Sequence, residues 1–253
     1  THAKLSLVVR EEGDVLRRYC HVGTGNYNPK TARFYDDLGI LSSEPELGED
    51  LSRLFNELSG HSAKHDYSRI LVAPHSLRKG LLSRIHRETK NHLDGKTSWI
   101  RLKLNSLLDE EITAALYEAA DAGVKIEIIV RGICALQFST QAQRDNIKVR
   151  SILGRFLEHS RIYYFKNDGA EEYYIGSADM MQRNLDRRVE ALVRIDAEKH
   201  KDRLRHILDD SVSENYSTWS LLDDNQWQRK ARDFDGNLLV NFQDYFVEKH
   251  NRA

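Results

Sequence analysis

Two short histidine motifs in this chain have the residue types that phosphate chemistry requires. The first is Thr1–Lys4, which is followed by a turn of small residues at Gly23–Asn26. The second is Glu158–Arg161, followed by a similar turn at Gly176–Asp179, and the two histidines are 157 positions apart. In each copy the histidine and a cation two residues later share one face of a predicted strand, because side chains alternate along a strand. Two such halves that face each other predict a single phosphate-handling site.

The first motif offers a nucleophile together with groups that bind phosphate oxygens. A neutral imidazole such as that of His2 attacks phosphorus through its unprotonated nitrogen, while an acceptor on the other ring N–H fixes the tautomer. Lys4 can bind a non-bridging phosphate oxygen, and the turn that ends at Asn26 adds backbone N–H groups and a side-chain amide. A single motif of this kind is weak evidence, since half-buried histidines beside solvated lysines occur on many strands. The duplication therefore carries the inference.

The second motif has the same plan with two substitutions. Arg161 takes the place of the lysine and provides a planar fork suited to bidentate contact with phosphate. Asp179 stands where the first turn has Asn26. If the two histidines face one phosphate, His2 can attack while His159 protonates or stabilises the leaving oxygen. The sequence therefore predicts an unequal pair of histidines.

Other residues near the motifs are candidates for the same site. Phosphoryl transfer depends mainly on positioning and charge neutralisation, so arginines are expected to converge on it. Tyr35 could stack on a base, cap a phosphate or pack in the core, and the sequence leaves these alternatives open. Solvation at the surface is the ordinary alternative for any single arginine. Seven arginines lie at predicted strand ends or in adjoining turns: Arg131, Arg150, Arg155, Arg161, Arg183, Arg187 and Arg188.

The composition is that of an ordinary globular protein with a local anion site. The chain has 253 residues, is 40% hydrophobic and has a net charge of -1, so no global field attracts nucleic acid or an anionic membrane. Two cysteines are too few for a disulfide framework and indicate a reducing compartment. No apolar run approaches the roughly 20 residues of a membrane-spanning helix. Because the first motif stands at the very start of the chain, we expect a fragment of a longer protein.

The pattern of apolar residues predicts a mixed α/β fold. The alternation of strands and helices from 69 to 130 indicates a doubly wound unit with parallel strands, whose ligands bind beyond the carboxyl ends, where Asn105 and Arg131 lie. Amphipathic spacing predicts four helices, at Glu46–Leu58, Leu77–Leu93, Asp109–Ala122 and Ala197–Ser213. Alternating or apolar runs predict nine strands, at Lys4–Val9, Leu16–Val22, Arg69–Ala73, Trp99–Leu104, Lys125–Val130, Ile147–Ile152, Ile162–Phe165, Tyr173–Ile175 and Val189–Ile195.

A polar stretch over 61–68 indicates a linker between two α/β domains. The first domain is expected over 1–67, incomplete at its N-terminus, and the second over 68–253.

Both histidine motifs resemble those of the phospholipase D superfamily, which pairs two such halves around a phosphohistidine. Two features depart from that pattern, because Arg161 is not lysine and the expected downstream aspartate is shifted to Asp168. Longer strings resemble the C-terminal catalytic half of the bacterial type 1 polyphosphate kinase family. These strings lie at 1–4, 23–28, 104–107, 130–134, 154–161, 174–179 and 183–190.

The resemblance implies a fold and a reaction. The fold is phospholipase D-like, with two α/β domains whose mixed sheets are flanked by helices. The reaction is reversible transfer of the γ-phosphate of ATP through a phosphohistidine to the end of inorganic polyphosphate. His2 matches the phosphorylated histidine, and Tyr35, Arg131 and His159 match positions that contact ATP. The residues expected to bind phosphate or polyphosphate are Lys4, Asn26, Asn105, Arg155, Arg161, Arg187 and Arg188.

The resemblance also implies cofactors and surroundings. Mg²⁺ is the family's cofactor, but the residues that bind it precede this chain, so no metal ligand is expected here and the activity of the chain alone is open. The substrates are ATP or ADP and polyphosphate, with no nucleic acid partner. The family forms homo-oligomers in the cytoplasm, and peripheral contact with the inner face of the membrane is compatible with the sequence.

Two alternatives remain at this point. One is a phospholipase D-like phosphodiesterase or nuclease, in which the acceptor of the phosphoryl group on the histidine is water rather than a phosphate chain or ADP. The other is a polyanion-binding module without activity. The density of arginines and the replacement of lysine by Arg161 favour a polyanionic acceptor.

Overall fold

The structure is a computed structural model that describes residues 1–61 and 66–251. The linker predicted over 61–68 falls in part on residues 62–65, which lie outside the described residues. Helices and strands form two sheets of very different size and one short pair of strands that joins them.

The smaller sheet carries the first histidine motif. Its strands are β1 (Lys4–Glu12), β2 (Val15–Gly23) and β4 (Gly39–Ser42), all antiparallel and in the order β1-β2-β4. Gly13 adopts a φ of 63° in the turn between β1 and β2, a conformation that glycine tolerates without a steric penalty. Helix α1 (Pro45–Leu58) packs on this sheet and begins with a proline, whose missing N–H costs nothing at that position.

The larger sheet has ten strands and carries the second motif. The strands are β5 (Ile70–Ala73), β6 (Ile100–Leu104), β7 (Ile126–Val130), β8 (Ile147–Ser151), β10 (Ile162–Phe165), β11 (Glu172–Gly176), β12 (Glu190–Ile195), β13 (Tyr216–Leu221), β14 (Trp227–Lys230) and β15 (Val240–Asn241). Their order in the sheet is β14-β13-β8-β7-β6-β10-β11-β12-β5, and β15 pairs with β13. The remaining helices are α2 (Leu77–Leu93), α3 (Glu110–Asp121), α4 (Gln141–Asn146), α5 (Gln182–Asp186), α6 (Glu198–Val212) and α7 (Phe242–Asn251).

The sheet is mixed, as the predicted fold class requires, but its strand order corrects one expectation. Strands β6, β7 and β8 are parallel neighbours. By contrast, β5 does not join them, because it pairs antiparallel with β12 at the far edge. Strands β10 and β11 form an antiparallel pair through a turn in which Asn167 and Asp168 have positive φ, and β10 takes the place beside β6. The doubly wound interpretation of 69–130 was therefore wrong for β5, since the strands β10, β11 and β12 lie between it and its expected neighbour β6.

Two hydrophobic cores lie on the two faces of the large sheet. One packs α2 and α3 against the sheet through residues such as Leu81 and Leu116. The other contains Leu51 and Leu54 of α1 together with Val193 of β12 and Leu208 of α6. This second core mixes residues from both sides of the predicted boundary at 67, so the two parts of the chain are packed together. The division into two domains stays a prediction.

A short parallel pair of strands brings the two motifs together. Strand β3 (Tyr35–Asp36) pairs with β9 (Leu157–Glu158), so that Asp36 is opposite Glu158. The backbone N–H of His159 then donates to the carbonyl oxygen of Asp36 at 3.0 Å. This pairing places the residue after β9, which is His159, beside the residue after β3, which is Asp37.

Candidate active site

His2 lies just before β1 and is held by Val189 and Glu190, which are distant from it in the sequence. Its backbone N–H donates to the carbonyl oxygen of Val189 at 2.9 Å. Its Nδ1 atom lies 2.9 Å from Oε2 of Glu190, a fully buried carboxylate that also accepts hydrogen bonds from Ser177 and Asn184. Such a partner holds the proton on Nδ1 and leaves a lone pair on Nε2. The side chain of His2 is 27% exposed, so a substrate can reach that nitrogen.

His159 is also held by a carboxylate, which in this case comes from the first part of the chain. Its Nδ1 atom lies 2.7 Å from Oδ1 of Asp37, which also accepts a hydrogen bond from Thr24 at 2.7 Å. Burial lowers the pKa of His159 below its ordinary value of 6.5, although the hydrogen bond to Asp37 opposes this shift. His159 is therefore neutral at pH 7, and its Nε2 atom is 3.5 Å from an N–H of Arg161.

The two histidines are thus held by exchanged carboxylates. His2 belongs to the first part of the chain and is held by Glu190 from the second, whereas His159 belongs to the second part and is held by Asp37 from the first. Neither histidine is oriented by its own part alone. In both histidines Nδ1 is held by a carboxylate, so Nε2 is the ring nitrogen that can act as a nucleophile or a base.

Lys4 is the clearest mark of an anion site. Its side chain is only 5% exposed, and its Nζ atom has no hydrogen-bond partner among residues 1–61 and 66–251. Burial, together with repulsion from Arg161, lowers its pKa from 10.5 to about 8, while Glu190 and Asp37 act in the opposite direction. A buried ammonium group without a partner is costly, and a negatively charged oxygen placed beside Lys4 would remove that cost.

The guanidinium group of Arg161, predicted to be a phosphate fork, is hydrogen-bonded to protein groups. Its Nε and Nη2 atoms donate to the two carboxylate oxygens of Asp179 at 3.1 and 3.0 Å. Its Nη1 atom donates to the carbonyl oxygen of His159 at 2.9 Å. The residue is 2% exposed, and Asp179 also accepts a hydrogen bond from the backbone of Asn105 at 2.8 Å. The fork of Arg161 is therefore engaged by protein groups, and only the edge of Nη1 faces the imidazole of His159.

Asn105 and Arg131 meet at the carboxyl ends of β6 and β7, where the sequence predicted them. Nε of Arg131 donates to Oδ1 of Asn105 at 2.8 Å and to the carbonyl oxygen of Glu158 at 3.0 Å. Nδ2 of Asn105 is buried without a partner in the described part of the chain. The Tyr35 ring lies 4.9 Å from the His159 ring, measured between centroids, so Tyr35 faces the site.

The structure does not bring every predicted residue into this cluster. Asn26, Arg155 and Arg187 are exposed, and Arg155 stacks on Phe156 at 5.4 Å from the ring centroid. Arg188 is half-buried and close enough to contribute to the low pKa of Lys4. Arg150, which was expected to converge on the site, is instead paired with Glu214, which precedes β13.

Asp168, the shifted aspartate of the second motif, lies outside the site, whereas two carboxylates that were not predicted lie within it. Asp168 lies in the turn between β10 and β11, where it accepts a weak hydrogen bond from Thr97, and takes no part in the site. Asp37 and Glu190 were not assigned roles, although each histidine was expected to need an acceptor. The only signals were a pair of acids directly after Tyr35 and a lone glutamate at the start of a buried strand.

The site is poorly suited to Mg²⁺. Each of its carboxylates is already engaged, Asp37 and Glu190 by histidines and Asp179 by Arg161. Within residues 1–61 and 66–251, no three His, Cys, Asp or Glu side chains are grouped so that they could hold a metal ion. In the same residues, no helix has the length and apolar character needed to cross a membrane.

Comparison with known proteins identifies relatives over the whole chain. Residues 1–64 match the family described as Polyphosphate kinase C-terminal domain 1, and residues 70–241 match Polyphosphate kinase C-terminal domain 2. The Polyphosphate kinase of Streptomyces coelicolor is 53% identical over 252 residues, which cover 100% of this chain and 34% of the relative. That of Mycobacterium avium is 48% identical over 250 residues, or 99% of this chain and 34% of the relative.

A solved structure supports the same relationship. The crystal structure of Polyphosphate Kinase from Porphyromonas gingivalis superimposes with a TM-score of 0.89 at 32% identity, covering 100% of this chain and 39% of that one. The chain thus spans about a third of the length of the curated relatives it matches. With two consecutive family domains matched and about half of its residues shared with these relatives, the chain belongs to the polyphosphate kinase family.

Proposed function

We propose that this chain carries the phosphoryl-transfer site of a polyphosphate kinase. In this site the γ-phosphate of ATP passes to His2 and from there to the end of a polyphosphate chain. The observation that carries the proposal is the pair of histidines held by exchanged carboxylates close to the ammonium group of Lys4, which has no hydrogen-bond partner in the described residues. Membership in the family and the names of the relatives support the substrates.

His2 is the group that becomes phosphorylated. The lone pair on Nε2 attacks the γ-phosphorus, the bond from that phosphorus to the bridging oxygen breaks, and ADP leaves with the bond's electrons. The imidazole gains positive charge as the N–P bond forms, and the carboxylate of Glu190 stabilises it through the proton on Nδ1. In the second step a terminal phosphate oxygen attacks the same phosphorus, and His2 is regenerated.

His159 differs from His2 in burial and in its neighbours. Because it is neutral at pH 7, it can donate a proton to a leaving oxygen only after it has accepted one. We therefore propose that His159 acts on the leaving oxygen in its protonated form, because only then does Nε2 carry a proton that can be donated to a phosphate oxygen. Tyr35 and Arg131 lie beside it and are proposed to contact ATP.

The phosphate chain is proposed to contact Lys4, Asn105 and Arg188, with the exposed Asn26, Arg155 and Arg187 further out. Arg161 is proposed to act on phosphate only through the edge of Nη1. A cavity of about 1020 Å³ lies behind β3 and β9, next to α6 and α7, but its lining holds five carboxylates and four Lys or Arg residues. Such a lining does not favour a polyanion, so we place the polyphosphate on the face with Lys4.

For the whole enzyme we propose that Mg²⁺ is used and is bound outside this chain. We also propose a cytoplasmic location, contact with the inner membrane face and a homo-oligomeric assembly. Nucleic acid is not proposed as a partner.

The proposal is tested on a chimera. In the chimera, this chain replaces the matched third of the Streptomyces coelicolor relative. We expect the chimera to extend polyphosphate from ATP and magnesium, and His2→Ala to abolish this activity. The control is His200→Ala, a change of an exposed histidine on α6. Release of inorganic phosphate from ATP without polymer, or hydrolysis of a phosphodiester, would favour the hydrolase alternative and contradict the kinase.

A further inference from the structure

Lys103 lies directly behind the segment of chain that carries His159. Its side chain is 2% exposed, and its Nζ atom donates to the hydroxyl oxygen of Ser160 at 2.6 Å. The same atom lies 2.7 Å from Oε2 of Glu158. Because side chains alternate along an extended chain, Glu158 and Ser160 point to one face while His159 points to the other. Lys103 therefore contacts the residues on both sides of His159 without facing the phosphate site.

The same ammonium group reaches the segment that carries Asp37. Oδ2 of Asp36 lies 4.0 Å from Nζ of Lys103. The carbonyl oxygen of Asp36 accepts the backbone N–H of His159 at 3.0 Å, and the next residue, Asp37, holds Nδ1 of that histidine. Lys103 therefore connects β3 and β9, the two short strands from which Asp37 and His159 project.

Charge makes this connection hard to replace. Burial by itself would raise the pKa of Glu158, but Lys103, together with hydrogen bonds from Gln243 and Asp36, holds the pKa below its ordinary value. Glu158 is therefore an anion, and it is 4% exposed. A buried carboxylate that loses its cationic partner is left with an uncompensated charge, which strongly favours rearrangement of the segment that carries it.

We propose that Lys103 is a positioning residue for phosphoryl transfer, which keeps His159 and Asp37 in register so that the imidazole holds one orientation and one tautomer. Its effect on catalysis rests on the proposed function, whereas its effect on the imidazole does not. The ammonium acts from the face of the strand opposite to the reacting phosphate, so its influence passes through the backbone of residues 158–160.

The test is the ring-nitrogen NMR spectrum of His159 in the chain itself. The wild type is expected to show one tautomer, protonated at Nδ1. The informative variant is Lys103→Met with Glu158→Gln, which removes both charges and so leaves no buried carboxylate unpaired. We expect this double variant to fold with a second His159 tautomer populated to at least about a tenth. Lys148→Met, a change of an exposed lysine on β8, is the control and should leave the spectrum unchanged.

A single Nδ1-protonated tautomer in the folded double variant would overturn the proposal. If that variant does not fold, Ser160→Ala decides, since it removes one contact of Lys103 and adds no charge; a second tautomer is expected, and a single one contradicts the proposal. When the Lys103→Met and Glu158→Gln changes are made in the chimera, kcat should fall at least about tenfold while KM for ATP changes less than about twofold. The reason is that a misplaced group mainly affects the transition state. An inactive wild-type chimera would count against the proposed function but leave the NMR result valid.

Discussion

Nδ1 of His2 lies 2.9 Å from the buried carboxylate of Glu190, a residue 188 positions later in the chain. The reverse pairing joins His159 to Asp37, which precedes it by 122 positions. Each histidine therefore acquires its tautomer only when both parts of the chain have folded together. This dependence distinguishes the site from a cluster of histidines that share a local motif.

Replacing Glu190 by glutamine should slow phosphorylation of His2 while leaving the fold intact. The amide has the shape of the carboxylate, but it can donate a proton to Nδ1 and so favours the wrong tautomer. In a Ser-His-Asp enzyme the corresponding change lowers kcat by about 10⁴, and we expect a loss of roughly 10²–10⁴ here. The measurement is the rate of phosphohistidine formation in the chimera with labelled ATP.

The matched control for this change is Glu118→Gln, which alters an exposed glutamate on α3. The role of Glu190 is wrong if the Glu190→Gln variant is phosphorylated at the rate of the control.

His159→Ala should reduce turnover far more than binding of polyphosphate. The residue is 7% exposed and its ring lies beside that of Tyr35, so its loss is expected to alter the proposed position of ATP but to leave Lys4 in place. We expect kcat to fall at least about 100-fold, within the usual range for a proton-transferring or stabilising group. Steady-state kinetics and titration with a long polyphosphate measure the two effects separately. An unchanged kcat would remove His159 from the mechanism.

Binding of a short polyphosphate should weaken as the pH rises through the range in which Lys4 loses its proton. The pKa of Lys4 is about 8 in the fold against 10.5 for the free side chain, so its charge is present at pH 7 and is lost on the alkaline side of pH 8. A bound anion favours the ammonium form and moves this loss to somewhat higher pH. The measurement is calorimetric titration with tripolyphosphate between pH 6.5 and 9.5.

Lys4→Met supplies the comparison, because it keeps the length of the side chain and removes the charge. At pH 7 it should weaken binding about 10- to 100-fold, the value of one charge-assisted hydrogen bond. The low pKa also has a consequence for stability: the unfolded chain binds more protons between about pH 8 and 10.5, so the wild type gains stability across that range and the variant does not. Equal affinities of the two proteins at pH 7 would show that Lys4 does not bind the anion.

Leu54→Ala should destabilise the whole chain rather than its first part alone. The side chain is fully buried in the core that joins α1 to β12 and α6. The loss of such a side chain costs about 2–5 kcal/mol of the free energy of unfolding. We expect one transition in urea at a lower midpoint, followed both by circular dichroism and by tryptophan fluorescence.

The control for Leu54→Ala is Leu93→Ala, since Leu93 is 70% exposed at the end of α2. Two separate transitions, with only one of them shifted, would show that residues 1–67 unfold independently of the rest.

Local features of the fold followed from the sequence, whereas the pairing of distant strands did not. Helix α2 has the predicted bounds, and Asp109 caps α3 through a hydrogen bond to the backbone of Ile112, because capping and apolar spacing are local properties. The predicted position of β5 in the sheet was wrong, because the sequence of Ile70–Ala73 does not determine which strand it pairs with. The antiparallel strands that separate β5 from β6 come almost 90 residues later.

The site shows the same division between local and distant information. The histidines, Lys4, and the strand-end pair of Asn105 and Arg131 were marked by residue type and position, and the structure brings them together. The fork of Arg161 was assigned to phosphate because its sequence neighbours do not reveal that Asp179 will engage it. The carboxylates that orient the histidines escaped notice for the same reason, since each comes from the other part of the chain.

The most direct test of the account is to locate the phosphate after a single turnover. The chimera is incubated briefly with labelled ATP and magnesium, digested at alkaline pH and analysed by mass spectrometry for phosphohistidine. We predict phosphate on His2, none on His159, and no phosphohistidine in His2→Ala. Phosphate on His159, or undiminished phosphorylation of the His2→Ala variant, would contradict the assignment of His2 as the nucleophile.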